Sequence, residues 1–375
     1  MALTYICPGC KGQLLSEPEA YRCQECRRHY PIVLRIPDFR LFPDPHIPIE
    51  DDYAKGQALA EHYDEMSFPQ LLARYWEMTP GVPDDLVCEY VRSALDKHQR
   101  SLRTWETIKG VGVRSLTPAL RQAHGHPSPS GRGAGGEGRY DELLEIGCGT
   151  AGFLAAAGPA FSHAVGIDIA FRWLIIARKR LEELGVKNVT LVCACAEHLP
   201  FPDGAFDLVV AEDVLDHTKD QGAFAKESAR VLKGQTGVFY MSTPNRYSLG
   251  PDPHVWVSWV GFLPPRFRDR YVRWRRGVPY GPIRPVSYGD MRRLLRSASF
   301  RKCRVILPQL GGLNPERLSR WQRVQVHLYE LARGIPLLSY ALRLVGPSLQ
   351  VLSSPAQSSR AADVLPQKRV NTPHP

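Results

Sequence analysis

Three glycines interrupt an apolar stretch in the middle of the chain. Gly147, Gly149 and Gly152 follow the apolar run 143–146 and precede the small and apolar residues 153–157. This pattern is typical of a buried strand, a tight turn and the start of a helix, a geometry in which the backbone can approach a nucleotide closely. The G-x-G-x-x-G spacing alone does not select the nucleotide, and α/β domains without a nucleotide also contain it.

Two carboxylates near this turn indicate which cofactor binds, which the glycines alone do not. Glu145 stands two positions before Gly147, where its charge would repel a pyrophosphate and attract a cationic amine. Asp168 ends a second apolar strand twenty-one residues after Gly147 and is placed to accept both ribose hydroxyls. S-adenosylmethionine has an ammonium and a ribose but no phosphate. The pair of acids therefore predicts this cofactor rather than a dinucleotide.

Four cysteines near the N-terminus form two C-x-x-C pairs separated by twelve residues. Two such turns can direct four thiolates at one ion and complete a tetrahedral zinc site of the closed, structural kind. A segment of about 40 residues has little core, so we expect zinc to provide most of its stability. The alternatives are four unliganded thiols, or His29 as a competing ligand. The predicted ligands are Cys7, Cys10, Cys23 and Cys26.

A second polar group follows the fourth predicted strand. Glu212, Asp216 and His217 fall at the carboxyl edge of the sheet, where open α/β sheets bind their ligands. His217, and after it Asp216, are the candidate general bases, and Glu212 is a candidate cofactor contact. Methyl transfer also proceeds by positioning alone, so structural roles for both candidate bases remain open.

The segment 140–242 resembles class I S-adenosylmethionine-dependent methyltransferases. The similarity continues beyond the glycines. Segment 188–193 is similar to the family's third strand, and 196–210 to its adenine-side loop and fourth strand. Segment 229–234 is similar to its next helix end, and 237–242 to its fifth strand. The resemblance implies an α/β, Rossmann-like sheet of seven strands with helices on both faces. It also implies cofactor contacts by Ile169, Cys195 and Ala196, with Cys195 in place of an aspartate that accepts from the adenine amino group.

The rest of the chain divides by composition. Residues 28–39 resemble the end of small zinc-ribbon proteins known as methyltransferase activators. We predict a zinc ribbon at 1–42, a linker and helical segment at 43–114, a flexible low-complexity insertion at 115–139, a methyltransferase domain at 140–353 with a basic insertion at 251–304, and a disordered tail at 354–375. The helical segment either forms a lid over the substrate or packs on the sheet.

The acceptor is the least determined part of the prediction. Between residues 264 and 304 there are thirteen Arg and Lys against two Asp, with aromatic residues interleaved, which favours an anionic partner. The Asn-Pro-Pro-aromatic motif of amine-methylating enzymes is missing, which favours oxygen. We expect O-methylation of an anionic small molecule or a glycan- or lipid-linked acceptor. There are two alternatives. One is an RNA methyltransferase that binds phosphates through the ribbon and the basic segment. The other is a non-catalytic scaffold with the same fold, for which Cys195 is the sequence evidence.

The overall composition is that of a globular protein. The 375 residues are 43% hydrophobic and 23% charged, with a net charge of +10 at pH 7. No secretion signal opens the sequence and no run of 18 uncharged apolar residues occurs, so we expect a cytoplasmic location without a transmembrane segment. The helical stretch 321–344 leaves peripheral membrane contact open. Nine cysteines in such a compartment favour reduced thiols and metal ligands over disulfides.

Overall fold

The structure is a computed structural model that describes residues 3–115, 140–234, 236–309 and 320–355. A small antiparallel sheet comes first, in the order of its strands β1 (Leu14–Glu17), β2 (Ala20–Cys23), β3 (His29–Val33) and β4 (Ile36–Pro37). Leu34 and Arg35 join the last two strands with left-handed backbone angles, φ 46° and 62°. Two consecutive positive φ values are typical of the tightest hairpin turns.

Three helices follow: α1 (Ile49–Glu61), α2 (Phe68–Glu77) and α3 (Asp84–Ser115). The start of α2 is set locally, because Ser67 and Gln70 form a capping box and Pro69 stands in the first turn. Leu59, Leu71 and Trp105 of these helices are buried in one hydrophobic cluster with residues of the central sheet. The helical segment thus forms a packing layer on the sheet.

The central sheet has seven strands in the order β12-β13-β9-β8-β5-β6-β7. All neighbouring pairs are parallel except those of β13, which is antiparallel to both β12 and β9. The strands are β5 (Tyr140–Ile146), β6 (Phe161–Asp168), β7 (Val189–Cys193), β8 (Leu208–Glu212), β9 (Val238–Pro244), β12 (Phe300–Ile306) and β13 (Ser348–Pro355). Two short strands, β10 (Pro251–Asp252) and β11 (Val257–Ser258), pair separately.

The remaining helices are α4 (Gly152–Ala157), α5 (Phe171–Glu183), α6 (Gln221–Val231), α7 (Pro265–Arg276), α8 (Tyr288–Ser297), α9 (Arg320–Arg333) and α10 (Pro336–Val345). The predicted α/β, Rossmann-like fold is confirmed. Strand β12 is an edge strand of the sheet, and its pairing with β13 shifts register between Arg301 and Arg304, as at a β-bulge.

Successive residues of β5 bury their side chains on opposite faces of the sheet, as the pleat requires. Leu143 belongs to the cluster formed with α1, α2, α3 and α5, whereas Leu144 belongs to a second cluster that includes Phe224 of α6. The order of the strands reverses between β5 and β8, which opens a crevice at their carboxyl ends.

The N-terminal sheet is part of the second cluster and not a separate body. Tyr5, Tyr30 and Phe39 pack in one cluster with Phe201, and the Tyr5 ring lies 5.0 Å from that of Phe39 and 6.0 Å from that of Phe201. The backbone nitrogen of Phe39 also donates to the carbonyl of Cys193 at the end of β7. The ribbon therefore continues the edge of the central sheet.

Some predicted segments lie outside the described residues. These are the low-complexity insertion at 115–139, apart from Ser115, and the predicted tail beyond Pro355. The start of that predicted tail is wrong, because residues 354 and 355 pair with β12 as the end of β13. Among the described helices, none combines the length and the apolar character needed to cross a bilayer.

Candidate functional site

The glycine turn lies at the carboxyl end of β5. Gly147 and Gly149 have φ values of 68° and 48°, and a Cβ on Gly147 would lie 2.3 Å from a methyl carbon of Val214. Gly147 is thus needed for both its backbone angle and its close neighbour. At Gly152 a Cβ would meet the side chain of Lys97 at 2.2 Å. The third glycine of the motif therefore makes room for α3.

Asp168 at the end of β6 is bonded to this turn. Its Oδ2 accepts from the backbone nitrogen of Gly149 at 2.8 Å, and its Oδ1 accepts from that of Ala170 at 2.9 Å. Burial raises the pKa of the carboxyl group to about 6, against the opposing effect of these two amides. The carboxylate is held at the wall of a cavity, where further acceptor capacity remains for hydroxyl groups.

The cavity has a volume of about 300 Å³ and lies in the crevice between β5 and β8. Four segments predicted from the sequence line it: the glycine turn, the end of β6, the loop after β7 and the loop after β8. A fifth segment, in the linker after the ribbon, was not predicted to contribute. The lining includes Phe42, His46, Gly147, Gly149, Asp168, Ile169, Ala196, Glu197, Asp213 and His217.

Cys195 does not line this cavity, although its neighbours on both sides do. Its Sγ accepts from the backbone nitrogen of Leu41 at 3.4 Å and lies 3.6 Å from the carbonyl oxygen of Phe42, to which it donates. Burial raises the pKa of this thiol to about 11, so it stays protonated and can donate. An aspartate here would face a carbonyl oxygen, so the thiol suits the linker that lies against it.

Glu145 and Glu212 likewise lie behind the cavity wall. The buried Glu145 Oε2 accepts from the backbone nitrogen of Leu154 at 3.1 Å, and burial raises the pKa of Glu145 well above its usual value. Glu212 forms an ion pair with Lys97 at 2.8 Å and accepts from Thr104 at 3.0 Å. Lys97 on α3 thus lies close to both glutamates. Glu145 is bonded to the start of α4, and Glu212 is bonded to the helical layer.

A buried network of five charges, which includes an Asp38–Arg40 pair at 2.6 Å, fixes the linker and the start of α5. Both oxygens of Asp52 accept from backbone nitrogens at this helix N-terminus, those of Phe171 at 2.9 Å and Arg172 at 3.2 Å. Asp52 also pairs with Arg40 at 2.7 Å and Arg172 at 2.8 Å, and Arg172 pairs in turn with Asp44 at 2.9 Å. Because Asp44 and Arg172 also line the cavity, this network shapes it.

At the other end of the cavity the structure brings together two histidines and two aspartates. Nε2 of His254 lies 3.0 Å from Oδ2 of Asp216 and 3.1 Å from Nε2 of His217. Nδ1 of His254 lies 3.0 Å from Oδ1 of Asp252, whose Oδ2 accepts from the hydroxyl of Tyr280 at 2.8 Å. The predicted pair Asp216 and His217 is thus joined by His254.

These neighbours shift the pKa values in opposite directions. Burial lowers the pKa of His254, but Asp216 and Asp252 outweigh burial and raise it to about 10. Burial lowers the pKa of His217 below its usual value. Burial also raises the pKa of Asp216, but contact with His254 reverses the effect and lowers it. The free protein thus holds a neutral His217 beside a charged His254 and an ionised Asp216.

Two further elements cover this cluster. The hydroxyl of Tyr90 on α3 donates to the backbone carbonyl of His254 at 2.6 Å. The backbone nitrogen of Arg284 donates to the backbone carbonyl of Asp216 at 2.7 Å. The ring of His46 from the linker lies 6.4 Å from that of His217. The helical layer, the basic insertion and the linker therefore all meet at the carboxyl end of β8.

The four N-terminal cysteines lie in two turns of the same geometry. The backbone nitrogens of Lys11 and Arg27, each just after the second cysteine, donate to the carbonyls of Cys7 and Cys23. Both residues have left-handed backbones, φ 63° and 60°. The backbone nitrogens of Cys7 and Cys23 donate to the carbonyls of Gly12 and Arg28, in both cases at 2.9 Å. The two turns are thus copies of one knuckle.

The sulfur atoms of the knuckles converge. Sγ of Cys7 lies 3.6 Å from that of Cys26, Sγ of Cys10 lies 3.4 Å from that of Cys23, and all four lie within 4.8 Å of one another. Four thiolates around a tetrahedral zinc ion with bonds of about 2.3 Å have sulfur atoms about 3.8 Å apart. The hydroxyl of Tyr30, 3.1 Å from the sulfur of Cys7, supplies a hydrogen bond outside this set.

The sequence indicated some of the additional site residues only faintly. His254 follows β9 in a Pro-Asp-Pro-His stretch at the carboxyl edge of the sheet, which was an available signal for it. Lys97 occupies one turn of a long polar helix, and Asp52 stands among other acidic residues in a linker. No local pattern distinguishes these two from solvated surface charges.

Known proteins match the middle of the chain. The family described as a methyltransferase domain matches residues 144–241. The uncharacterized methyltransferase YcgJ of Bacillus subtilis is 34% identical over 99 residues, 26% of this chain and 39% of that protein. A probable S-adenosylmethionine-dependent methyltransferase of Mycobacterium tuberculosis is 32% identical over 110 residues, 29% of this chain and 38% of its own length. The chain thus spans less than half the length of these relatives.

Among solved structures, that of YcgJ is 19% identical and covers 59% of this chain and 94% of its own, with a TM-score of 0.37. At this TM-score, the assignment depends on the sequence matches and the site described above. Together the matched segment and the curated relatives support an S-adenosylmethionine-dependent methyltransferase of class I.

Proposed function

We propose that this protein transfers a methyl group from S-adenosylmethionine to an oxygen atom of an anionic acceptor. The observation that carries the proposal is a single cavity that has Asp168 and the glycine turn in its wall and His217 at the end of β8. Asp168 would accept from the ribose hydroxyls, and Ala196 in the loop after β7 would flank the adenine. The cofactor supplies an electrophilic methyl group when it is bound.

The residues around His217 provide what an oxygen acceptor needs. His217 is neutral because burial lowers its pKa, and a neutral imidazole can accept the proton of a hydroxyl group. Nε2 of His254, which is paired with Asp216, lies 3.1 Å from Nε2 of His217 and positions its ring. An acceptor in this part of the cavity would lie between His46 and His217, which both line it.

The insertion presents a surface that suits an anion. On α7 the exposed Arg266, Arg270 and Arg275 form no ion pair with any described residue, whereas Arg273 pairs with Asp269. Trp274, between two of these arginines, is 74% exposed. Unpaired guanidinium groups with aromatic rings beside them favour phosphate or carboxylate groups on the acceptor.

An apolar helical hairpin favours a lipid-linked acceptor over a freely diffusing one. The hairpin consists of α9 and α10, and α10 has no buried residue although its sequence is mostly apolar. Leu337 is 79% exposed, Arg333 ends α9 beside the connection between the helices, and Arg343 lies near the end of α10. The other exposed apolar side chains of the hairpin are Val324, Leu328, Leu331, Ile335, Leu338, Tyr340 and Leu344. Such a surface suits the interface of an anionic membrane.

We further propose that the N-terminal cysteines bind one structural zinc ion. The two identical knuckles and the convergence of four sulfur atoms support this, and four thiolates leave no position for a substrate. The ribbon packs against residues 193–201, beside the loop that lines the cavity, so it would stabilise that loop.

The function is tested with methyl-labelled S-adenosylmethionine and a cell extract separated into lipid, small-molecule and RNA fractions. We expect label in the lipid fraction, in material that binds an anion exchanger, and none with the Asp168→Ala variant. Activity should change little with salt if the acceptor enters the cavity as a small head group.

An RNA methyltransferase is the competing function, supported by the same unpaired arginines of α7. It would place the label in RNase-sensitive material, and binding would weaken steeply with added salt because several phosphates release counterions. Label in no fraction, despite measured cofactor binding, would support a non-catalytic scaffold.

A further inference from the structure

The cluster of Asp216, His217 and His254 has the composition of a metal site separate from the cysteine knuckles. Two imidazoles and one carboxylate direct three ligand atoms to a common region, and these atoms lie within 4.8 Å of one another. Such sets of donors suit divalent first-row transition ions.

The distances between the donors match the edges of a coordination octahedron. Nε2 of His254 lies 3.0 Å from Oδ2 of Asp216 and 3.1 Å from Nε2 of His217. With metal–ligand bonds of about 2.1 Å, these separations correspond to angles of about 90–95° at the ion, below the tetrahedral value of about 109°.

Oδ2 of Asp216 gives an independent indication. Asp216 is completely buried, and the partner of this oxygen among the described residues is Nε2 of His254, 3.0 Å away. A buried carboxylate is stable only when its charge is compensated. An ion bound between the two ligand atoms would provide this compensation in place of the direct contact.

The groups behind the donors are arranged as metal sites require. Nδ1 of His254 is paired with Asp252, and Tyr280 donates to the other oxygen of Asp252. A carboxylate on the far nitrogen fixes the orientation and tautomer of a ligating histidine, and Nε2 would bind the ion after its proton is released to solvent. Thr243 lies 3.4 Å from Oδ1 of Asp216 and supports the second ligand in the same way.

Charge also favours a cation here. Asp216 and Asp252 contact His254 from two directions, and the exposed Asp213 directly follows β8. A divalent ion would balance the two carboxylates that flank His254. His217 lines the cavity, so the ion would be reached from the acceptor side.

We propose that Asp216, His217 and His254 bind a divalent transition ion at the acceptor end of the cavity. The remaining coordination positions would face the cavity and take oxygen atoms of an anionic acceptor. In the context of the proposed methyl transfer, and only there, the ion would orient the acceptor oxygen and lower the pKa of its hydroxyl group, so that the proton leaves to solvent before the oxygen attacks the methyl carbon. His217 would then be a ligand, and the base role proposed above for the metal-free site would not be needed.

The test is a titration of the full-length protein with Mn²⁺ after treatment with a chelator and measurement of the zinc that remains in the ribbon. Free Mn²⁺ is followed by electron paramagnetic resonance. We expect one Mn²⁺ per chain, with affinity lowered roughly a hundredfold or more by His254→Ala or Asp216→Asn, and about ten- to a hundredfold by Asp252→Asn. His327→Ala, at an exposed position of α9, is the matched control and should bind as the parent does.

A measurement on the unaltered protein covers the case in which variants misfold. Pulsed resonance of the Mn²⁺-loaded parent should show nitrogen couplings from imidazole ligands, with the ribbon zinc content unchanged. Absence of saturable binding, absence of nitrogen couplings, or unchanged affinity in a folded His254→Ala variant would each overturn the proposal. Neither measurement needs an acceptor, so the metal proposal does not depend on whether methyl transfer is observed. If protein that binds no Mn²⁺ still transfers methyl groups, the metal proposal is wrong and the methyltransferase proposal stands.

Discussion

The sulfur of Cys195 lies 3.4 Å from the backbone nitrogen of Leu41, so the loop after β7 is bonded to the chain that leaves the ribbon. Phe42, the next residue, is already part of the cavity wall. The ribbon, the linker and the cofactor cavity are therefore joined within a few residues. Because the ribbon also shares a hydrophobic cluster with the central sheet, we expect loss of the ribbon to destabilise the cofactor domain.

Cys26→Ser should release zinc and also destabilise the cofactor domain. Loss of the packing of even one aromatic side chain, such as Phe39, costs about 1.5–3 kcal/mol. For a domain of this size the melting temperature should fall by at least about 3 °C, and the affinity for S-adenosylmethionine should fall with it. Metal analysis, thermal melting and calorimetry measure the three effects. The control is Cys88→Ser, an exposed cysteine on α3. Unchanged cofactor affinity in zinc-free protein would show that the ribbon folds independently.

Cofactor binding should weaken as the pH is lowered through the pKa of Asp168. Burial raises this pKa to about 6, and only the ionised form accepts from both ribose hydroxyls. In the free protein the carboxylate is mostly ionised at pH 7.5 and mostly protonated at pH 5, so the affinity should be roughly tenfold lower at pH 5. Calorimetry over this range gives the profile. Asp168→Asn should bind S-adenosylmethionine weakly at both pH values. If this variant kept the pH dependence of the parent, the dependence would belong to another group.

Asp52→Asn should be among the most destabilising single substitutions in the linker. The variant removes the carboxylate that Arg40 and Arg172 share. Because Arg40 keeps Asp38 and Arg172 keeps Asp44, we expect a loss of about 3 kcal/mol, the lower end of the range for breaking a buried ion pair. Asp51→Asn removes the same charge from the neighbouring exposed position and should change the free energy of unfolding little. Denaturant unfolding of both variants provides the comparison. Equal stabilities would mean that the network contributes little.

The apolar hairpin should bind anionic vesicles through its exposed leucines. The double variant Leu337→Ser and Leu338→Ser removes two apolar side chains, and full burial of each would contribute about 1.5–3 kcal/mol, so vesicle binding should fall tenfold or more. Co-sedimentation with anionic and with neutral vesicles measures the effect and its dependence on charge. Leu184→Ser, at an exposed position after α5, is the control. Binding that is unaffected by the double variant would exclude the hairpin as the contact.

Local patterns were sufficient for much of this molecule. The glycine turn, the run of apolar strands and the C-x-x-C spacing each depend on neighbours a few residues apart, so the sequence alone predicted the α/β fold, the position of Asp168 and the four cysteines. Gly185, with φ 68°, follows the end of α5, where a left-handed residue after the last turn is likewise a local requirement.

The tertiary structure decided which of the candidate residues meet. Glu145 and Glu212 have the right sequence spacing for cofactor contacts, yet Lys97, more than forty residues earlier in the chain, lies beside both and the cavity wall passes in front of them. His254 reaches His217 only because β9 ends beside β8 and the insertion folds back over that edge. Such contacts depend on the order of strands and on long-range packing. No period or spacing along the chain encodes them.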